Sequence, residues 1–180
     1  FQIKSKFPEI TVAVDNDRQH GIASLQAIDQ PPKIILLDDA FQHRRVKAGF
    51  SVLLTSYNDL YCDDLVLPAG NLREPRFGAQ RAQIVVVTKC PQNLSIAEKQ
   101  VIQKRLKLNF NQQLFFSSIV YDKFIYSNDE KKSIQELKNE SFTLLTGIAD
   151  STPLVGYLNN LGLKFDHLSF PDHHEFSKKE

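Results

Sequence analysis

Residues 34–37, Ile-Ile-Leu-Leu, form an apolar run with no polar break, closed by the adjacent carboxylates Asp38 and Asp39. A half-exposed strand alternates apolar and polar residues. An unbroken run of strand length therefore predicts a strand covered on both faces, as in a parallel sheet flanked by helices. Residues 10–14, 50–55, 83–89, 113–120, 142–146 and 164–170 read as strands, and 33–38 is the strand that ends on the carboxylates. Between them, 17–28 carries Ile22, Leu25 and Ile28 at helical spacing. Ser95 with Glu98 three residues on predicts a capped helix running to about Leu108, and 152–161 reads as another helix. The order strand, helix, strand, loop, strand predicts an α/β fold, a mostly parallel sheet with crossover helices.

Two stretches break the rhythm. Residues 58–80 mix proline, glycine and dispersed charge without a sustained period, which predicts a long loop with short helices. Long loops inside compact domains are usually functional or disordered. Residues 122–140 are rich in Lys, Asp and Glu and read as a solvated excursion or hairpin. A boundary near 90–93 would separate a core sheet, 1–90, from a remaining α/β portion or small second lobe, 91–180.

At 180 residues the chain suits one domain, or one domain with a small lobe. Its 22 Lys and Arg balance 21 Asp and Glu, so it lacks the overall positive footprint of a nucleic-acid binder and any anion site must be local. Cys62 and Cys90 have neither metal-site nor redox spacing and read as ordinary small residues. No apolar segment approaches membrane-spanning length. The chain begins at Phe1 and contains no Met, which leads us to expect a piece of a longer protein.

Several features could carry chemistry. Asp38 and Asp39 close a strand, where α/β enzymes hold Mg²⁺ for nucleotide phosphates, although a buried strand turning into a charged surface loop has the same pattern. Adjacent strand residues point to opposite faces, so the pair cannot chelate one ion symmetrically unless the strand has already ended. His43 and Arg44 stand where an approaching phosphate could be met; the alternative is an exposed basic turn. Residues 67–75, Leu-Pro-Ala-Gly-Asn-Leu-Arg-Glu-Pro, combine turn formers with Arg73, whose planar fork suits phosphate or carboxylate. Asp172-His173-His174 could orient an imidazole or bind a metal. Arg18 lies at a strand-to-helix junction, where helix N-termini favour anions. The Gly147–Pro153 stretch reads as a strand-to-helix loop that could lie against a base or a sugar.

Five motifs occur in a fixed order: Asp-Asp-Ala-Phe-Gln-His-Arg at 38–44, the 67–75 loop, Val-Val-Val-Thr-Lys at 85–89, Thr-Gly-Ile-Ala-Asp-Ser-Thr-Pro at 146–153, and Pro-Asp-His-His-Glu-Phe at 171–176. Together they resemble the tetraacyldisaccharide 4'-kinase family of the P-loop NTPase group, in a Bacteroidetes-type version, from about residue 10 to 176. The resemblance implies a P-loop kinase type of sheet, ATP and Mg²⁺ as cofactors, and an acylated disaccharide glycolipid of the lipid A pathway as substrate. It implies peripheral contact of the parent protein with the cytoplasmic face of the bacterial inner membrane, with this portion soluble and no nucleic-acid partner. Asp38 and Asp39 match a Walker-B-like motif, with Asp38 as the Mg²⁺ ligand; Gln42 and His43 belong to the same signature and are placed with the substrate. Arg73 and Arg18 match positions implied in binding the acidic lipid. His173, in preference to His174, matches a histidine that works with an upstream aspartate to deprotonate the attacking hydroxyl.

The family's phosphate-binding loop and that aspartate lie upstream of the matched region and are absent from these residues. The chain alone is therefore expected to be inactive. Two rival readings stand beside the kinase. One is a metal-dependent phosphoesterase in which Asp38, His43, Asp172 and His173 bind Mn²⁺. The other is a non-catalytic nucleotide- or lipid-binding portion.

Overall fold

The computed structural model describes residues 2–127, 130–172 and 174. They fall into two compact units, residues 1–119 and 120–180. The first unit is organised by a three-stranded parallel sheet, β1 (Val52–Ser56), β2 (Ile84–Thr88) and β3 (Gln113–Phe116), with β2 central. Val52 pairs with Ile84 and Ile84 with Gln113. The central strand reads Ile-Val-Val-Val-Thr, and both Val85 and Val87 are fully buried. Such a β-branched run suits a strand covered on both faces.

Two short helices precede the sheet, α1 (Gln2–Lys6) and α2 (Arg18–Gln26); α3 (Ile96–Leu106) crosses from β2 to β3. The start of α3 carries the expected capping box. The Ser95 hydroxyl accepts from the Glu98 N–H at 3.3 Å, and Glu98 Oε2 accepts from the Ser95 N–H at 2.8 Å. Ile102 and Leu106, four apart and hence on one helix face, complete a core with Leu60, Val85, Val87 and Cys90. Residues 90–116 thus fold with the first unit. The long connection from β1 to β2 contains a 3-10 turn, Arg76–Arg81, in keeping with a loop carrying short helices.

In the second unit β4 (Phe124–Tyr126) and β5 (Lys131–Ser133) form an antiparallel hairpin where the polar excursion was expected. A parallel pair, β6 (Ser141–Thr146) and β7 (Lys164–Ser169), is joined by α4 (Thr152–Asn160). Ile134, Leu158 and Leu163 are buried in its core, and Phe142 stacks on Phe165 across the pair with centroids 5.5 Å apart. The α/β character and the parallel pairings with crossover helices hold in both units.

Two expected strands are absent. Residues 10–14 and 33–38 join no sheet, and the chain bends at residues 10, 33 and 38. Their side chains face solvent: Val14 is 93% exposed, Ile34 77% and Leu36 90%. Apolar patterning reports that a segment is destined for burial; a strand additionally requires a hydrogen-bonding neighbour. None of the described residues supplies one to these two runs. The βαβ unit expected around α2 is correspondingly not formed. Among the described residues no helix is long and apolar enough to cross a membrane.

Candidate functional site

Three segments of the first unit converge around the carboxylate pair: the start of α2, the turn at residues 38–46, and the loop at residues 64–76. Asp17 caps α2, its side chain accepting from the Gln19 N–H at 2.9 Å. Arg18 is oriented by its guanidinium, which donates to the Asp15 carbonyl. Asp15 also accepts from His20 Nδ1 at 2.6 Å and from the Asp17 N–H at 2.8 Å. The imidazole hydrogen bond holds the Asp15 carboxyl below its usual range and raises the His20 imidazole above its own. Sequence reading missed this Asp–His pair. Its signal, Asp and His five apart across a helix start, is weak without the cap geometry.

Asp39 has a φ of +44°, in the left-handed region that Asp and Asn tolerate better than most residues. The chain bends at both Asp38 and Asp39, and strand alternation does not govern them. The turn that follows is tight: His43 N–H donates to the Ala40 carbonyl at 2.9 Å, and Val46 N–H to the His43 carbonyl at 3.2 Å. It is pinned to α2 by Gln19 Nε2, which donates to the Arg45 carbonyl at 3.1 Å.

The 64–76 loop is organised by Asp64. Its carboxylate accepts from the N–H groups of Leu65 at 2.7 Å and Asn71 at 3.1 Å, while Arg76 Nε donates to its carbonyl at 2.8 Å. The two backbone hydrogen bonds draw the Asp64 carboxyl down. Gly70 is required here, because a Cβ at that position would overlap the Asp64 carboxylate and the Leu65 carbonyl. Arg73 projects from this loop toward the carboxylate turn, its NH1 lying 3.8 Å from Asp39 Oδ2.

Two cavities result. One, of about 250 Å³, is lined by Asn16, Asp17, Arg18, Gln19, His43, Arg45 and Val46. The other, of about 380 Å³, is lined by Asp39, Gln42, His43, Arg44, Arg45 and Arg73. Both include His43 and Arg45. The structure thus brings Arg18 and His43 together in one cavity, and Asp39, Gln42, His43 and Arg73 together in the other; Asp38 is exposed immediately before them. Arg44, read beside His43 as a possible phosphate contact, lines the second cavity, and Arg45, which sequence reading did not single out, lines both. With Arg18 and Arg73 they outnumber the acidic groups of the lining, which favours an anionic ligand.

His173 lies outside the described residues. Its neighbour His174 stacks on Phe170 with centroids 4.7 Å apart. In the Thr146–Pro153 motif, Thr146 is buried and its Oγ1 lies 2.9 Å from His167 Nε2, while Asp150 accepts from the Thr152 N–H at 3.0 Å at the start of α4. Among the described residues no three His, Cys, Asp or Glu side chains come together to hold a metal. The Mn²⁺ phosphoesterase reading finds no support in that set.

Parallel strands joined by crossover helices, with an arginine-rich concavity beside two exposed carboxylates, define a mixed α/β protein. No solved structure matches the chain. The family model for tetraacyldisaccharide-1-P 4'-kinase matches residues 1–180, and the chain belongs to that family. Among its relatives, a protein of Flavobacterium johnsoniae named tetraacyldisaccharide 4'-kinase is 56% identical over 177 residues, 98% of this chain and 52% of the relative. Proteins of the same name from Bacteroides fragilis and Bacteroides thetaiotaomicron are each 47% identical, covering 100% of this chain and 50% of their own length. The chain spans about half the length of the curated relatives it matches.

Proposed function

We propose that the complete protein transfers the γ-phosphoryl group of ATP to the 4' hydroxyl of a tetraacyldisaccharide 1-phosphate in lipid A biosynthesis. This chain would supply the carboxylates and the glycolipid-facing cations, and the other half the phosphate-binding loop. Membership of the family over residues 1–180 supports the reaction class. The observation that carries the site is the gathering of Asp39, Gln42, His43 and Arg73 around one cavity.

Asp38 and Asp39 suit Mg²⁺. Both are exposed hard oxygen donors, and Mg²⁺ commonly takes only one or two carboxylates, filling its shell with water and substrate phosphates. Bound there, the ion would neutralise charge on the transferring phosphoryl group. The chain's own residues do the rest by positioning. Arg18 and Arg73 hold the acidic glycolipid, Gln42 and His43 orient it above the carboxylates, and His173 takes the proton of the attacking hydroxyl. In this reading the 1–90 region is part of the nucleotide- and lipid-binding core, the sheet is of P-loop kinase type, and the glycolipid is met at the cytoplasmic face of the inner membrane. The chain alone is inactive for want of the phosphate-binding loop.

Arg73→Ala in the complete protein is expected to raise KM for the glycolipid about 10- to 100-fold, as loss of a charge-assisted contact would, with KM for ATP nearly unchanged. Steady-state kinetics with each substrate varied in turn checks this. Equal effects on both KM values would remove Arg73 from the lipid side of the site.

A further inference from the structure

Arg81 belongs to none of the sets of site residues above, yet it ties together the two segments that carry most of them. It closes the 3-10 turn Arg76–Arg81. Its NH1 donates to Glu74 Oε2 at 2.9 Å and its NH2 to Glu74 Oε1 at 2.7 Å, a two-pronged pair. NH2 also donates to the Phe41 carbonyl at 3.0 Å, and the guanidinium lies 4.6 Å from the centroid of the Phe41 ring. Glu74 directly follows Arg73. Phe41 lies two residues after Asp39 and immediately before Gln42.

The local sequence accommodates this clamp. A Cβ on Gly78 would come within 2.6 Å of Glu74 Oε2 and 2.9 Å of Arg81 NH1, so the glycine leaves room for the pair. The Glu74 side chain is only 19% exposed, whereas Arg73 and Asp39, 3.8 Å apart, are 67% and 81% exposed. Exposed pairs of that kind contribute little, so Arg73 and Asp39 do not fix the spacing of their segments by themselves. A bidentate arginine that also caps a carbonyl and lies over a ring can do so.

We propose that Arg81 is a positioning residue for phosphoryl transfer, setting Arg73 against the Asp39–His43 turn so that the anionic glycolipid and the carboxylates share one geometry. This rests on the functional reading above. Lysine cannot replace it, because a single ammonium lacks the planar fork.

The test compares complete wild-type protein with Arg81→Lys, Arg81→Ala, Glu74→Gln, Arg73→Ala and the double variant Arg73→Ala/Arg81→Ala, with rates normalised to folded protein by circular dichroism. Arg81→Ala is expected to lower kcat/KM for the glycolipid about 10- to 100-fold, the scale of a misplacement of about 1 Å, with a smaller change in KM for ATP. Arg81→Lys should not restore activity, and Glu74→Gln should shift the same parameter in the same direction. In the double variant the effects should fall short of their product, because Arg81 acts through Arg73. If Arg81→Ala fails to fold, Arg81→Lys and Glu74→Gln carry the comparison. Unchanged kinetics per folded molecule, or effects that multiply, would overturn the proposal while leaving the kinase reading intact. A wild-type protein that transfers no phosphate would remove the kinase reading and this role with it.

Discussion

Asp38→Asn in the complete protein is expected to reduce phosphoryl transfer by at least about 100-fold, the scale on which loss of one group stabilising transition-state charge is felt. The substitution keeps the shape of the side chain and removes the charge that would hold Mg²⁺. Asp38 has no hydrogen bond or ion pair among the described residues, so none of their contacts depends on its charge. Stability should therefore change by no more than about 0.5 kcal/mol, as at other exposed positions. A measured kcat that falls steeply while the thermal transition stays in place supports the assignment. Activity within about threefold of wild type would return Asp38 to the role of a surface-turn residue. Asp39 needs a different substitution: its φ of +44° favours Asp, Asn or Gly, so only Asp39→Asn separates chemistry from backbone strain.

The second large effect is structural. In the 180-residue chain, amides of residues 34–37 should exchange with solvent at nearly unprotected rates, whereas those of the central strand, flanked by β1 and β3, should be protected. In the complete protein we expect residues 34–37 to gain protection by about three orders of magnitude, as a neighbouring strand pairs with them and covers Ile34 and Leu36. Burying two such side chains contributes about 3 to 6 kcal/mol, enough to hold the segment closed at that level. Hydrogen exchange read by mass spectrometry on both forms decides it. If the segment stays unprotected in the complete protein, the carboxylate pair does not close a strand.

The contrast between these segments shows what the sequence could reveal. Residues 84–88 and 34–37 have the same apolar continuity, and only the first forms a strand, because β1 and β3 lie on either side of it. Composition specifies that a segment is to be buried; the identity of its partner is a property of chain elsewhere. Ser95 and Glu98 were legible because a capping box is local and depends on spacing alone. Arg73 stood out in the sequence of its loop, and the structure sets its NH1 3.8 Å from Asp39 Oδ2. Arg81 was not: its partners Glu74 and Phe41 are 7 and 40 residues away, and an arginine at the end of a short turn has no sequence signature. The Asp15–His20 pair was hidden similarly, its meaning fixed by the turn that starts α2.

We have proposed that this chain supplies the carboxylates and arginines of a glycolipid kinase. Incubating the complete protein with ATP labelled at the γ-phosphate, Mg²⁺ and a tetraacyldisaccharide 1-phosphate, then locating the label on the lipid by fragmentation mass spectrometry and phosphorus NMR, tests it most directly. The account predicts one new phosphate ester, at the 4' hydroxyl, with the 1-phosphate retained. Loss of phosphate from the glycolipid, or ATP consumption with no label on the sugar, would contradict it.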